Sequence, residues 1–157
     1  MKARGVFHFM LFMVMMGLVA APAWADSTLT NIVDLSFGTF GLANNNTPQT
    51  IVLTPGGMAT YGAKIVDGPI PPKAGEYLLE GLTPDTLLDI TVDNTILTRV
   101  DGGSPAFTIS DYTTNNPTTD EFGNATLFVG ATLTTSGTGI HYESGAYAGT
   151  MDITIIF

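Results

Sequence analysis

Beyond residue 25 the chain carries a single histidine. His141 lies in Gly139-Ile140-His141-Tyr142-Glu143-Ser144, with a carboxylate two residues after it. Any Ser–His–acid triad would have to use this imidazole. No Gly-x-Ser-x-Gly elbow accompanies it, and no serine sits at a strand–turn–helix junction that would expose a nucleophile. His141 therefore reads as a solvated loop residue, and no catalytic residue is assigned. The chain has no cysteine, which removes thiolate nucleophiles, thiolate metal sites and redox chemistry together. One histidine without cysteine makes no zinc ligand set.

Carboxylates are the remaining chemical resource. Glycoside hydrolysis uses two of them flanking a sugar, usually in a cleft walled by aromatic rings. The only tryptophan is Trp24, and Tyr61, Tyr77, Tyr112, Tyr142 and Tyr147 are spread along the sequence. The expectation is a protein that is not an enzyme. Asp101, Asp111, Asp120 and Glu121 lie in or beside loops whose carbonyls suit a hard cation such as calcium. No EF-hand or nonapeptide spacing is present, and aspartate in such loops commonly makes turns. No metal and no cofactor is assigned. Asn124-Ala125-Thr126 fits a glycosylation sequon, read here as coincidence. Pro55-Gly56-Gly57 and Asp101-Gly102-Gly103 lack the lysine and helix of a phosphate loop, so they read as turns.

The elements that must position these residues begin with an export leader. Lys2 and Arg4 precede an apolar stretch from Val6 to Ala21, and Ala23-Trp24-Ala25 supplies small residues for cleavage before Asp26. Residues 1–25 are thus expected to be a cleavable signal peptide, and 26–157 a single domain. The protein should be exported to the periplasm, cell surface or medium, with no membrane span after cleavage. Lys64, Lys73 and Arg99 then face fourteen acidic residues, a formal charge of −11 beyond Ala25. That charge repels nucleic acid and anionic lipid.

Twenty-four threonines and many Val and Ile residues favour a pleated sheet. Leu29, Val33, Leu35 and Phe37 share one parity, as the inward face of a first strand would. Further strands are expected over Gln49–Thr54, Met58–Val66, Ala74–Gly81, Thr86–Asp93, Thr95–Val100, Ala106–Ser110 and Ala125–Leu133. Asp111 to Asn124 reads as one long polar loop. The closing run Gly145–Phe157 places Tyr147, Met151, Ile153, Ile155 and Phe157 on one parity, a half-buried strand that ties the C-terminus into a sheet. No βαβ rhythm appears. The fold class is all-β, an antiparallel sandwich of about seven to nine strands.

Three segments in order resemble one family. Asp34-Leu35-Ser36-Phe37-Gly38-Thr39-Phe40 resembles its opening Leu-x-Phe-Gly strand. Ala125–Leu133 (ATLFVGATL) resembles its penultimate strand, and Gly145–Phe157 its closing Gly-x-Tyr-x-Gly strand. The family is the bacterial secreted domain of unknown function 4402, similar in pattern to spore coat protein U and to pilin subunits of the alternative chaperone–usher kind. The resemblance implies an immunoglobulin-like sandwich and no established chemistry.

The expected role is a structural or adhesive envelope module, including a pilin-like subunit, acting through surface contacts or strand complementation. Its partners would be copies of itself or other envelope proteins. The alternative is a monomeric module binding a glycan or calcium through acidic loops. Leu29, Val33, Leu35 and Phe37 form either a donor strand for a neighbour or the domain's own first strand. The short lead before Phe37 favours insertion into the chain's own core.

Overall fold

The computed structural model describes residues 27–157, so the expected signal peptide lies outside the described residues. Twelve strands follow in order: β1 (Thr28–Val33), β2 (Phe40–Leu42), β3 (Thr50–Leu53), β4 (Ala59–Tyr61), β5 (Ile65–Asp67), β6 (Gly75–Glu80), β7 (Asp89–Val92), β8 (Thr95–Arg99), β9 (Phe107–Thr114), β10 (Ala125–Thr134), β11 (Tyr147–Ala148) and β12 (Ile153–Ile156). All named pairings are antiparallel. The expected all-β class is what the chain adopts. The strands outnumber the expected seven to nine because several single apolar runs break into two.

The reason is visible in the central strand. In β10, Ala125, Leu127, Val129, Ala131 and Leu133 are all buried, while the alternating threonines and Phe128 face outward or sideways. Its N-terminal half pairs with β6 and its C-terminal half with β3 along one edge, and β9 takes the other edge. Gly130 stands where β6 hands over to β3. A Cβ there would collide with the Leu53 carbonyl, so the handover requires glycine.

The main sheet runs β1-β6-β10-β9-β8-β11, with β3 attached to β10 and β4 to β3. Two short ribbons, β12-β7 and β2-β5, lie off this path. Two core clusters result. Phe37, Ile51, Leu53, Ile65, Phe107 and Leu133 belong to one, against which Phe40 and Leu42 of β2 pack. Tyr77, Leu79, Leu82, Leu88, Leu127 and Val129 belong to the other, against which Ile90, Ile153, Ile155 and Phe157 pack.

Tyr112 touches both clusters, and a bulge places it there. Between the pairs Ser110–Thr132 and Thr113–Gly130, Asp111 and Tyr112 stand opposite Ala131 alone. Asp111 takes φ of 49°, the left-handed conformation of a bulge residue. The extra residue shifts the inward face from Phe107 and Ile109 to Tyr112. It also lets β9 continue to Thr114, into the stretch expected to be a polar loop.

Candidate functional site

The N-terminal segment does two things in turn. Thr28–Val33 pairs with the free edge of β6. A bridge from Ser36 to Lys73 then carries the chain on to β2, which pairs with β5. β1 itself is almost wholly exposed, with Leu29 at 42% and Ile32 at 54%. Its register slips between Asn31, opposite Tyr77, and Val33, opposite Glu76, so Ile32 is an extra residue. Paired residues share a sheet face. Leu29 and Asn31 therefore share the face of the buried Leu79 and Tyr77, while Val33 shares that of Glu76. The expected single stripe of Leu29, Val33, Leu35 and Phe37 is broken by this bulge. Phe37 alone of the four is buried, and Leu35 packs beside it as a half-buried neighbour.

The C-terminal run is likewise divided. Tyr147 pairs with Arg99 in the β11–β8 ribbon and joins the Phe107 cluster. Met151, Ile153, Ile155 and Phe157 join the other cluster as half-buried residues. Gly149 falls between, where a Cβ would collide with the Ile96 carbonyl, and the strand is interrupted there.

Between these two segments lies an open groove of about 1270 Å³. Its floor is made of the half-buried Leu97 and Tyr112, underlain by the buried core residues Tyr77, Phe107, Ile109 and Leu133. One bank is residues 34–42 and the other is residues 144–151 with Ile153. Each bank carries a short strand edge, Phe40–Leu42 on one and Tyr147–Ala148 with Ile153 on the other. Thr39 and Ala43 spend their backbone groups on the β5 side, and the alternation of an antiparallel ladder turns those of Phe40 and Leu42 toward the groove. Asp93 N–H donates to the Asp152 carbonyl and Val100 N–H to that of Ala146. The same alternation turns the backbone of Tyr147 and Ile153 away from β7 and β8. Five antiparallel pairings separate β1 from β11, so the first and last segments run in opposite senses.

One end of the groove is pinned by polar contacts that the sequence did not single out. Asn45 is buried; its Nδ2 donates to Ser136 Oγ at 2.8 Å and to the Ile140 carbonyl at 2.9 Å. Its Oδ1 accepts from Gly137 N–H at 2.9 Å. Nothing in the run Asn44-Asn45-Asn46 marks the middle residue as the buried one. Beside it, Tyr142 stacks on Phe107 at 4.2 Å, and its hydroxyl accepts from Ser136 N–H and donates to the Ala106 carbonyl. Arg99 clamps the same loop, pairing with Glu143 at 3.1 Å. His141 is exposed on the groove's rim, and among the described residues no serine hydroxyl bonds to it.

On the floor, burial, then the Asp34 carboxylate and then Tyr112 raise the Tyr77 hydroxyl pKa above its ordinary value. Burial also raises that of Tyr112, with a hydrogen bond to Thr95 pulling back.

The four candidate calcium ligands are not brought together. Asp101 lies near Arg99, Asp111 is the β9 bulge, and Asp120 Oδ1 caps its own turn by accepting from the Phe122 and Asn124 amides. Among the described residues no three histidine or acidic side chains converge on one point. A smaller open pocket of about 520 Å³ separates β7 from the bulged end of β9, with Thr91, Asn94, Asp111, Tyr112 and Asn116 in its wall.

The family described as Domain of unknown function (DUF4402) matches residues 28–157. No curated protein and no solved structure matches the chain.

Proposed function

The chain belongs to the DUF4402 family, and we propose that it is an exported, non-enzymatic structural or adhesive module that accepts an extended strand from another protein chain. The observation that carries this reading is the groove. Two strand edges with unused backbone groups flank a floor of core side chains. An incoming strand would satisfy both edges at once and lay alternate apolar side chains on the half-buried Leu97 and Tyr112. Because the banks run in opposite senses, that strand pairs parallel with one and antiparallel with the other. A pilin-like or coat-building role follows from such joining.

The test is amide hydrogen exchange with ten-residue peptides whose apolar residues alternate. Saturable protection of Phe40, Leu42 and Ile153 is the expected result. If no peptide protects them, and the native host yields the protein only as a free monomer, the reading is wrong.

A second reading, glycan binding by a monomer, finds support in the polar pocket between β7 and β9. Its amides, carboxylate, hydroxyls and tyrosine are the groups that bind sugar hydroxyls. Resonance shifts at Asn94, Asp111 and Asn116 on adding neutral oligosaccharides would favour it over strand acceptance.

A further inference from the structure

We propose that the tip of the loop before β10 docks a second protein, one that offers an apolar pocket with a basic rim, and that Phe122 is the residue that enters the pocket. This surface is separate from the groove and works whether or not the groove takes a strand.

Exposure singles out Phe122. It is 73% exposed, while every other aromatic side chain among the described residues is buried or half-buried. A lone apolar residue on a loose loop tip is ordinary surface, but this tip is held. Asp120 Oδ1 accepts from Phe122 N–H at 2.9 Å and from Asn124 N–H at 2.8 Å, and Asp120 N–H donates to the Asn124 carbonyl at 2.8 Å. Gly123 takes φ of 78°, and a Cβ there would collide with the Leu82 carbonyl, so the turn is pressed against the loop after β6. Leu82 N–H donates to the Gly123 carbonyl at 3.0 Å and Thr119 N–H to that of Thr86 at 2.9 Å, which zips the two loops together.

The backbone beneath the ring is therefore ordered before any partner arrives, and little of its entropy is left to lose on binding. Aromatic side chains that fill a partner's pocket carry much of the binding energy of protein interfaces. Leu87, 68% exposed on the facing loop beside its bridge to Thr118, adds a second apolar contact.

Charge selects the partner. Asp85, Asp120 and Glu121 are exposed on these same two loops. No Lys, Arg or His occurs over residues 74–98 or 100–140. The carboxylates favour a rim of Lys and Arg and oppose an anionic lipid surface. A second copy does not supply that rim. Among the described residues its Lys and Arg residues are Lys64, Lys73 and Arg99, and none of them lines the groove or the β7–β9 pocket.

The experiment places a photoreactive benzophenone amino acid at position 122 in the native host, with the exposed position 58 as control. A cross-link to another protein at 122 and not at 58 is expected. That protein, purified, should bind Phe122→Ala about thirtyfold or more weakly than the parent. Glu121→Lys should slow association, and so should added sodium chloride. Both side chains are exposed, so both variants should melt with the parent. A cross-link to lipid, to a second copy or to nothing overturns the proposal. So does a partner that binds Phe122→Ala as tightly as the parent, or that associates faster in salt.

Discussion

At Asn45, three side-chain hydrogen bonds join the loop after β2 to the loop after β10, which are 91 to 95 residues apart. Asn45→Ala leaves the Gly137 amide and the Ile140 carbonyl without those partners. An unmade buried hydrogen bond costs about 1–3 kcal/mol, so the variant should lose about 2 kcal/mol in urea denaturation, with the exposed Asn46→Ala within about 0.5 kcal/mol of the parent. The raised pKa values of Tyr77 and Tyr112 give a second prediction at this scale. Burial disfavours the phenolate, so the folded protein ionises these groups at higher pH than the unfolded chain does. The unfolded chain then binds fewer protons above about pH 10, and stability must fall as pH rises there. This contribution is complete below the ordinary tyrosine pKa and is lost as pH climbs through the raised one. Ultraviolet titration should show two hydroxyls ionising late, and Tyr77→Phe should soften alkaline unfolding. A variant whose alkaline unfolding is unchanged would show that Tyr77 ionisation is not coupled to the fold.

The elements show where sequence patterns carry and where they stop. β10 and β6 were legible because an uncharged residue falls at every inward position and each of these positions is buried, despite the outward Leu78 and Phe128. β9 was legible only to Ser110. Beyond it the residues Asp-Tyr-Thr-Thr-Asn-Asn read as loop, since an aspartate was not recognised as a bulge residue and the bulge reverses which parity faces inward. Asn115 then extends the edge with its side chain: Oδ1 accepts from Phe128 N–H and Nδ2 donates to the Thr126 carbonyl, standing in for a strand peptide. No composition rule announces such a substitution. The same blind spot hid the groove. The parity of Leu29, Val33, Leu35 and Phe37 was visible, but the slip at Ile32 depends on which β6 residue each one meets. The bulge makes a prediction of its own. A β-branched residue at φ of 49° is strained, so Asp111→Val should cost about 1–2 kcal/mol while Asp111→Gly should cost nothing or stabilise. Equal melting temperatures for the two variants would show that the left-handed bulge does not constrain position 111.

At the scale of the whole molecule, charge sets the terms on which two copies can meet. Three basic residues beyond Ala25 face fourteen acidic ones, so approaching copies repel. The groove's rim adds to this with the exposed Asp34 on one bank. The apolar floor supplies short-range attraction, which acts only after the charges have come close. The Debye length falls from about 30 Å at 0.01 M salt to about 10 Å at 0.1 M. Association between like-charged copies should therefore quicken as sodium chloride is raised over that range, and the final complex should dissociate at a rate that barely changes. A basic partner strand would behave in the opposite way, since its attraction to the acidic rim is screened by the same salt. Stopped-flow or light-scattering rates at matched protein concentration distinguish the two. Faster association with added salt is the outcome expected when the incoming strand belongs to a second, equally acidic copy. Slower association would mean that the groove is built for a cationic strand from another protein, leaving the groove's role intact and its occupant changed.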